Sequence, residues 1–485
     1  ISKGYTDLSL DRHVCPIRFP TLFMNGCRTQ MPTTDEILAK TWQTHQQGDA
    51  THAEKVYRSI VERDPKHVNG WCYLGIALHD LRRYDESVAA YERALTLQPN
   101  FPIALNNMGN SLRYLGRVAE ADNAFQRALD LSPDYFNALR NRGTLHAWTG
   151  RIDLAFQYYH QAMQLNPNDA ELHRNLGVIH LLQGNFKDGW REYDFRWQCS
   201  EAIQHRYQQP KWTGQSLVGK TVLLYSEQGL GDTIHFVRFA KTLKELGATT
   251  IVHMQPALLA LLQGCQGIDY LIPNSLQIEH PFDYHCSLLD TARILQIDDT
   301  NVPNTVPYLK VSDSLSSYWR NTLANALPKA KLRVGIVWQG NADHQADMFR
   351  SIPLEKLTPL ADLDGIQLVS LQRDKGVEQL KNWSGSKQIY CLPENIDQSS
   401  GAFMDTAAII QHLDLIVTSD TSMAHLACAL ARPTCVLLGF TPDWRWLQNR
   451  SDSPWYPTCR LFRQPAVGDW ETVVSEVKNH IAAML

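Results

Sequence analysis

The chain has 485 residues, 44% hydrophobic and 20% charged, which is enough apolar material for several cores and, at the usual domain size, about three or four domains. Its formal net charge of −4 supplies no bulk field for nucleic acid or anionic lipid. No run of about 18 apolar residues occurs, which argues against a membrane-spanning helix. Ten cysteines are scattered without a CxxC pair, so a reducing, cytoplasmic compartment without zinc is expected, and Cys428 and Cys435 read as small core residues.

Residues 1–33 stand apart from the rest of the chain. It opens on Ile1, and residues 1–30 lack the basic-then-apolar design of a signal segment. They read as a poorly ordered leader or as an ordinary N-terminal extension. Met31 immediately precedes a helical pattern, with Thr34 as the expected N-cap before Asp35, Glu36, Ile37 and Leu38.

Over about residues 34–200 the sequence repeats every 34 residues. Gly75, Gly109, Gly143 and Gly177 obey the step, as do Pro65, Pro99, Pro133 and Pro167. So do Tyr57, Tyr91, Phe125, Tyr159 and Tyr193, and the small residues Ala94, Ala128 and Ala162. The glycine lets two helices approach closely, the aromatic fills the gap between them, and the proline ends the second helix. One such unit cannot bury its apolar face alone, so the units must stack into a curved α-solenoid. Four residue classes sharing one period resemble the tetratricopeptide repeat (TPR) family, with about five repeats. The terminal units are atypical, as caps are: Thr41 replaces the glycine in the first, and Gly189 and Arg196 stand at small-residue positions in the fifth. Asn107, Asn141 and Asn175 also keep the step, on the first helix of three successive units. In TPR folds that helix faces the concave groove. Their amides would pair with the backbone of an extended peptide or serve internal hydrogen bonding.

After Trp212 the period gives way to alternating strand and helix signals, the mark of doubly wound α/β structure. A first lobe is expected over 215–330, with strands at 220–225 and 249–253 and an amphipathic helix over 232–246. A second lobe is expected over 331–470. Its strands fall at 332–338, 366–370, 387–391, 413–418 and 433–438, and its helices at 353–362, 403–412 and 422–431. A C-terminal helix comes last, over about 470–484. In such sheets ligands bind outside the carboxyl ends of the strands.

Two turns there carry chemistry. Glu227-Gln228-Gly229-Leu230-Gly231-Asp232 comes directly after the first strand. Its glycines let the backbone approach a ligand, and Asp232 sits at the mouth of a helix, either as a helix cap or as a functional carboxylate. It is neither a Walker loop nor the three-glycine dinucleotide fingerprint. Ser419-Asp420-Thr421-Ser422, with His425 in the first turn of the next helix, is either a phosphate cradle at a helix N-terminus or a capping cluster with a packed histidine.

Residues 420–439, with Asp420, Thr421, Ser422, His425 and Pro433, resemble the C-lobe pattern of the heptosyltransferase-like glycosyltransferases. Leu230-Gly231-Asp232 matches that family's N-lobe loop. Glu227-Gln228-Gly229, Arg350-Ser351-Ile352-Pro353 and Pro442-Asp443-Trp444-Arg445-Trp446 resemble a bacterial architecture in which TPR repeats precede this module, of the general type that includes flagellin-modifying transferases. The resemblance implies a two-lobed GT-B enzyme that uses a nucleotide-sugar, with Asp232 as base and the loop at Asp420–His425 holding the donor diphosphate. Those enzymes carry Lys where Arg350 stands, so the donor does not carry over. Arg350, Arg373 and a polar loop with Gly340, Asn341, Asp343 and His344 lie on the ligand side of the second lobe. Each arginine would neutralise a leaving diphosphate or be a solvated charge. Trp444, Trp446, Trp455 and Tyr456 would stack on a base or sugar, or pack the loop.

The resulting expectation is an inverting glycosyl transfer without a metal or other cofactor, its acceptor a protein presented by the TPR groove. The rival is a non-catalytic TPR scaffold, and a weaker alternative is a carbohydrate acceptor. The expectation requires the turns at Asp232 and Thr421 to face each other across an open, sugar-sized gap.

Overall fold

The computed structural model describes residues 32–199, 207–341, 344 and 346–485. The leader (apart from its last two residues), Met31, Cys15, Cys27 and Asp343 lie outside the described residues. The described part forms two compact units. The first runs to Leu176 and adds Gln198 and Cys199; the second holds Gly177–Trp197 and everything from Tyr207 onward.

The repeats are ten helices: α1 (Thr34–Gln46), α2 (Ala50–Arg63), α3 (Val68–Asp80), α4 (Tyr84–Leu97), α5 (Pro102–Tyr114), α6 (Val118–Leu131), α7 (Phe136–Trp148), α8 (Ile152–Leu165), α9 (Ala170–Leu182) and α10 (Phe186–Tyr193). The first begins one residue earlier than expected. Thr33 is the N-cap, because its hydroxyl accepts the Glu36 N–H while the Glu36 carboxylate takes the Thr33 N–H. The periodic glycines have the expected steric reason. A Cβ on Gly75 or Gly109 would stand 2.7 Å from the ring of Tyr91 or Phe125, and one on Gly143 would stand 2.5 Å from that of Tyr159. Those rings and Ala94, Ala128 and Ala162 are fully buried.

The second unit carries two parallel sheets. The first has the order β3-β2-β1-β4, from β1 (Thr221–Tyr225), β2 (Thr249–Met254), β3 (Tyr270–Pro273) and β4 (Tyr284–Ser287). The second has the order β10-β9-β8-β5-β6-β7. It is built from β5 (Leu332–Val337), β6 (Ile366–Ser370), β7 (Tyr390–Cys391), β8 (Leu415–Ser419), β9 (Thr434–Leu438) and β10 (Cys459–Arg463). The helices are α11 (Leu230–Phe236), α12 (Phe239–Glu245), α13 (Leu259–Leu262), α14 (Leu288–Ile294), α15 (Asp313–Ala326), α16 (Asp347–Arg350), α17 (Thr358–Ala361), α18 (Met404–Ile410), α19 (Ser422–Ala429) and α20 (Trp470–Ala482). Central strands β1, β8 and β9 are buried on both faces, which is why they read as unbroken apolar runs. The second core gathers Trp338, Leu368, Val417 and Leu437 under Val473, Val477 and Ile481 of α20.

Three expectations are corrected. The helix expected over 232–246 is two, because Ala240 and Lys241 bond three residues back to Val237 and Arg238 and the chain tightens there. The helix expected over 353–362 is a 3-10 turn at Leu354–Leu357 followed by the short α17, with Pro359 at its start. The strand expected over 387–391 keeps only Tyr390 and Cys391.

Candidate functional site

The turn after β1 is pinned from several sides. The buried Glu227 carboxylate takes a fork from Arg196, Nε and Nη2 at 3.0 Å each, and the Ser287 hydroxyl at 2.7 Å. Arg196 also reaches Asp290 Oδ1 at 2.7 Å. Burial pushes the Glu227 carboxyl above its ordinary range, opposed by Arg196. Gln228 Nε2 donates to the Tyr193 hydroxyl at 3.1 Å, and its carbonyl accepts Gln255 Nε2 at 2.8 Å.

Asp232 heads α11 with its side chain about a quarter exposed (24%). Its Oδ2 accepts the Gly229 N–H at 2.9 Å, the back-reaching half of a capping box, so the capping role is real. Its Oδ1 is held by Arg445 Nη2, from the loop after β9 in the other lobe. Partial burial pushes the carboxyl up and Asp443 adds to this, while Arg445 pulls it down.

The turn after β8 ends at Thr421, whose hydroxyl accepts the Met423 N–H at 3.3 Å and caps α19. Arg350 gathers this turn and the loop after β5. Its Nη1 donates to the Asp420 carbonyl at 3.2 Å, its Nη2 to the Asn341 carbonyl at 3.5 Å, and its Nε to Asp347 Oδ1 at 3.2 Å. Burial and Asp443 push the Asp420 carboxyl up to about 6, against Arg350 and Arg445.

The two turns do face each other, at contact distance rather than across an open gap. A Cβ on Gly231 would stand 3.2 Å from His425 Cδ2 and 3.3 Å from Ser422 Cα. Among the described residues, no group of three His, Cys, Asp or Glu side chains is placed to hold a metal ion.

Residues 402–464, which include the turn after β8 and the Arg445 loop, match the model of glycosyltransferase family 9 (heptosyltransferase). Residues 68–101 and 106–169 match two tetratricopeptide repeat models. The chain carries TPR repeats and a glycosyltransferase family 9 domain. Protein FlbA of Caulobacter vibrioides is 25% identical over 314 residues, covering 61% of this chain. The chain spans about half (52%) of that relative's length. Solved structures similar to the repeats include a thermophilic TPR protein of Thermus thermophilus, 16% identical with a TM-score of 0.32 over 35% of this chain and 92% of that one. MamA of Desulfovibrio magneticus is 17% identical, with a TM-score of 0.30 over 34% and 94%.

Within the family 9 domain, His425 is the packed histidine rather than a charged phosphate ligand. It is 6% exposed, bonds Tyr456 Oη through Nδ1 at 3.0 Å and stacks on Trp446, and burial pushes it down to about 3. Trp444, Trp446, Trp455 and Tyr456 are likewise buried, so they pack the loop rather than offer faces to a ligand. Arg373 does not join Arg350: its guanidinium holds the carbonyls of Pro393 and Glu394 at 3.3 and 2.8 Å. Gln372 beside it turns to the loop after β5 and bonds both faces of Gln339. In the repeats, Asn107 and Asn141 are buried; Asn141 donates to Asn106 at 2.9 Å and Asn106 to Asn107 at 3.0 Å. This is the internal use left open beside peptide binding. Asn175 reaches the Thr144 hydroxyl at 3.4 Å.

Arg445, Asp443 and Arg196 escaped the sequence reading as site residues. The one signal for Arg445 was its place between two tryptophans, which makes burial a candidate, and a buried guanidinium needs a carboxylate.

Proposed function

We propose that this chain is a GT-B-type glycosyltransferase that moves a sugar from a nucleotide-activated donor by inverting, metal-independent transfer. What supports the reading is that the Asp232 turn packs on the first turn of α19, next to the Asp420 carbonyl that Arg350 holds. The open gap expected between the turns is closed, and the turns must part to admit a donor. The acceptor hydroxyl attacks the anomeric carbon. The new C–O bond forms as the bond to phosphate breaks, the proton passes to Asp232, and the electron pair leaves on the nucleoside diphosphate. The N–H groups at Thr421–Ser422 and the Arg350 guanidinium stabilise that leaving charge. The acceptor is a protein brought by the repeats, in the cytoplasm. Asp232→Asn, screened against a nucleotide-sugar panel by mass spectrometry, should lose transfer by about a hundredfold or more while still binding nucleotide. Full transfer by that variant overturns the role.

A second reading, a nucleotide-sugar-binding scaffold without turnover, is favoured by the engagement of both Asp232 oxygens. Donor binding with neither hydrolysis nor transfer in the native chain would select it.

A further inference from the structure

Arg445 is the group that reaches the base from the opposite lobe. Its side chain is 5% exposed, with the guanidinium 4.6 Å from the Trp444 ring and 5.1 Å from that of Phe236. One nitrogen, Nη2, holds Asp232 Oδ1, and the other, Nη1, holds Asp443 Oδ1 at 2.7 Å. The Arg445 N–H closes on the same Asp443 oxygen at 2.9 Å. A planar fork can hold two carboxylates at once in fixed directions; a lysine ammonium on a flexible stem does so poorly.

We propose that Arg445 is the positioning residue for Asp232, tying the first-lobe carboxylate to Asp443 of the second lobe and so fixing where the base points. The assignment rests on the reading of Asp232 as the base. With Gly229 holding Oδ2 and Arg445 holding Oδ1, the carboxylate cannot rotate, and the directions left open on each oxygen are those available to an acceptor hydroxyl. The base is therefore assembled from both lobes.

The groups facing the pair are few. Arg445 and Asp443 come from the loop after β9, Asp420 from the turn after β8, His425 from α19, His235 from α11 itself, and Tyr193 from α10 beside the guanidinium. Burial pushes both histidines down; on Asp232 burial is the largest influence and raises its proton affinity, Arg445 lowers it and Asp443 raises it.

The test needs no donor. Carbodiimide coupling with glycinamide, read at Asp232 by peptide mass spectrometry of the full-length chain between about pH 4 and 8, reports the protonated carboxyl. In Arg445→Gln the labelling midpoint should rise by about one pH unit or more, and in Asp443→Asn it should fall. Arg445→Lys, which keeps the charge and loses the fork, should also raise it. A wild-type midpoint in Arg445→Lys overturns the proposal, as does an unmoved midpoint in a folded Arg445→Gln. If Arg445→Gln does not fold, Arg445→Lys and Asp443→Asn decide by their opposite signs. Loss or retention of transfer in Asp232→Asn bears only on the base assignment, so the two readings fail separately.

Discussion

Gly231→Ala tests the meeting of the two turns directly. The added methyl would lie 3.2 Å from His425 Cδ2, 3.3 Å from Ser422 Cα and 3.6 Å from Ser422 Cβ, so α11 and α19 must part by a few tenths of an ångström. Neither neighbour yields easily. Ser422 Cα is backbone in the first turn of α19, and His425 is clamped between Trp446 and the Tyr456 hydroxyl. Overpacking of this size costs about 1–2 kcal/mol. Denaturant titration of the full chain, followed by tryptophan fluorescence, should show that loss. Gly229→Ala is the matched comparison, because its methyl meets only the movable Asp232 Oδ2, at 3.3 Å. It should cost less stability and displace the carboxylate more, lowering transfer. Alanine in a helix otherwise gains about 0.5–1 kcal/mol over glycine, so a Gly231→Ala chain stabilised by that amount would mean that the turns do not touch in solution.

Glu227 sets a pH dependence with a definite sign. Its folded pKa is raised, so its contribution to stability is greatest below the ordinary glutamate value and is lost as pH climbs through the raised one. Glu227→Gln should flatten melting temperature against pH across that window. Arg196→Met leaves Glu227 and Asp290 buried without their cation, and should cost about 3–5 kcal/mol near neutral pH, partly recovered on acidification. In the repeats, Gly143→Ala forces its methyl against the buried Tyr159 ring and should cost about 1–3 kcal/mol by thermal melting.

The repeats were legible because several residue classes keep one period, and each class has one steric job. The central strands were legible because burial on both faces leaves an unbroken apolar run. Strands β3, β4 and β10 were not, since β3 and β4 are only four residues long, β3 is only partly buried, and the exposed Arg460 interrupts the apolar run of β10. The turns at Asp232 and Thr421 were found from residue type and position after a strand. Their surroundings were not, because the partner of Asp232 is Arg445, 213 residues away, and that of Glu227 is Arg196, 31 residues before it. Local spacing carries no information about such pairs. It also could not separate a phosphate-seeking His425 from a packed one; that depended on Trp446 and Tyr456, which only the tertiary fold brings to it.

The last repeat has two owners. By its period α10 is a TPR helix, yet Trp190 donates to the Ile297 carbonyl at 2.9 Å and sets its ring 5.3 Å from Trp444, and Arg196 comes soon after it in the chain. Anyone dividing this polypeptide where the 34-residue rhythm stops would strip the α/β half of an aromatic wedge and of the cation that Glu227 and Asp290 share. The boundary between the two compact units falls instead at Leu176, inside a helix and against the grain of the repeat, and it keeps Trp190 and Arg196 with the downstream half.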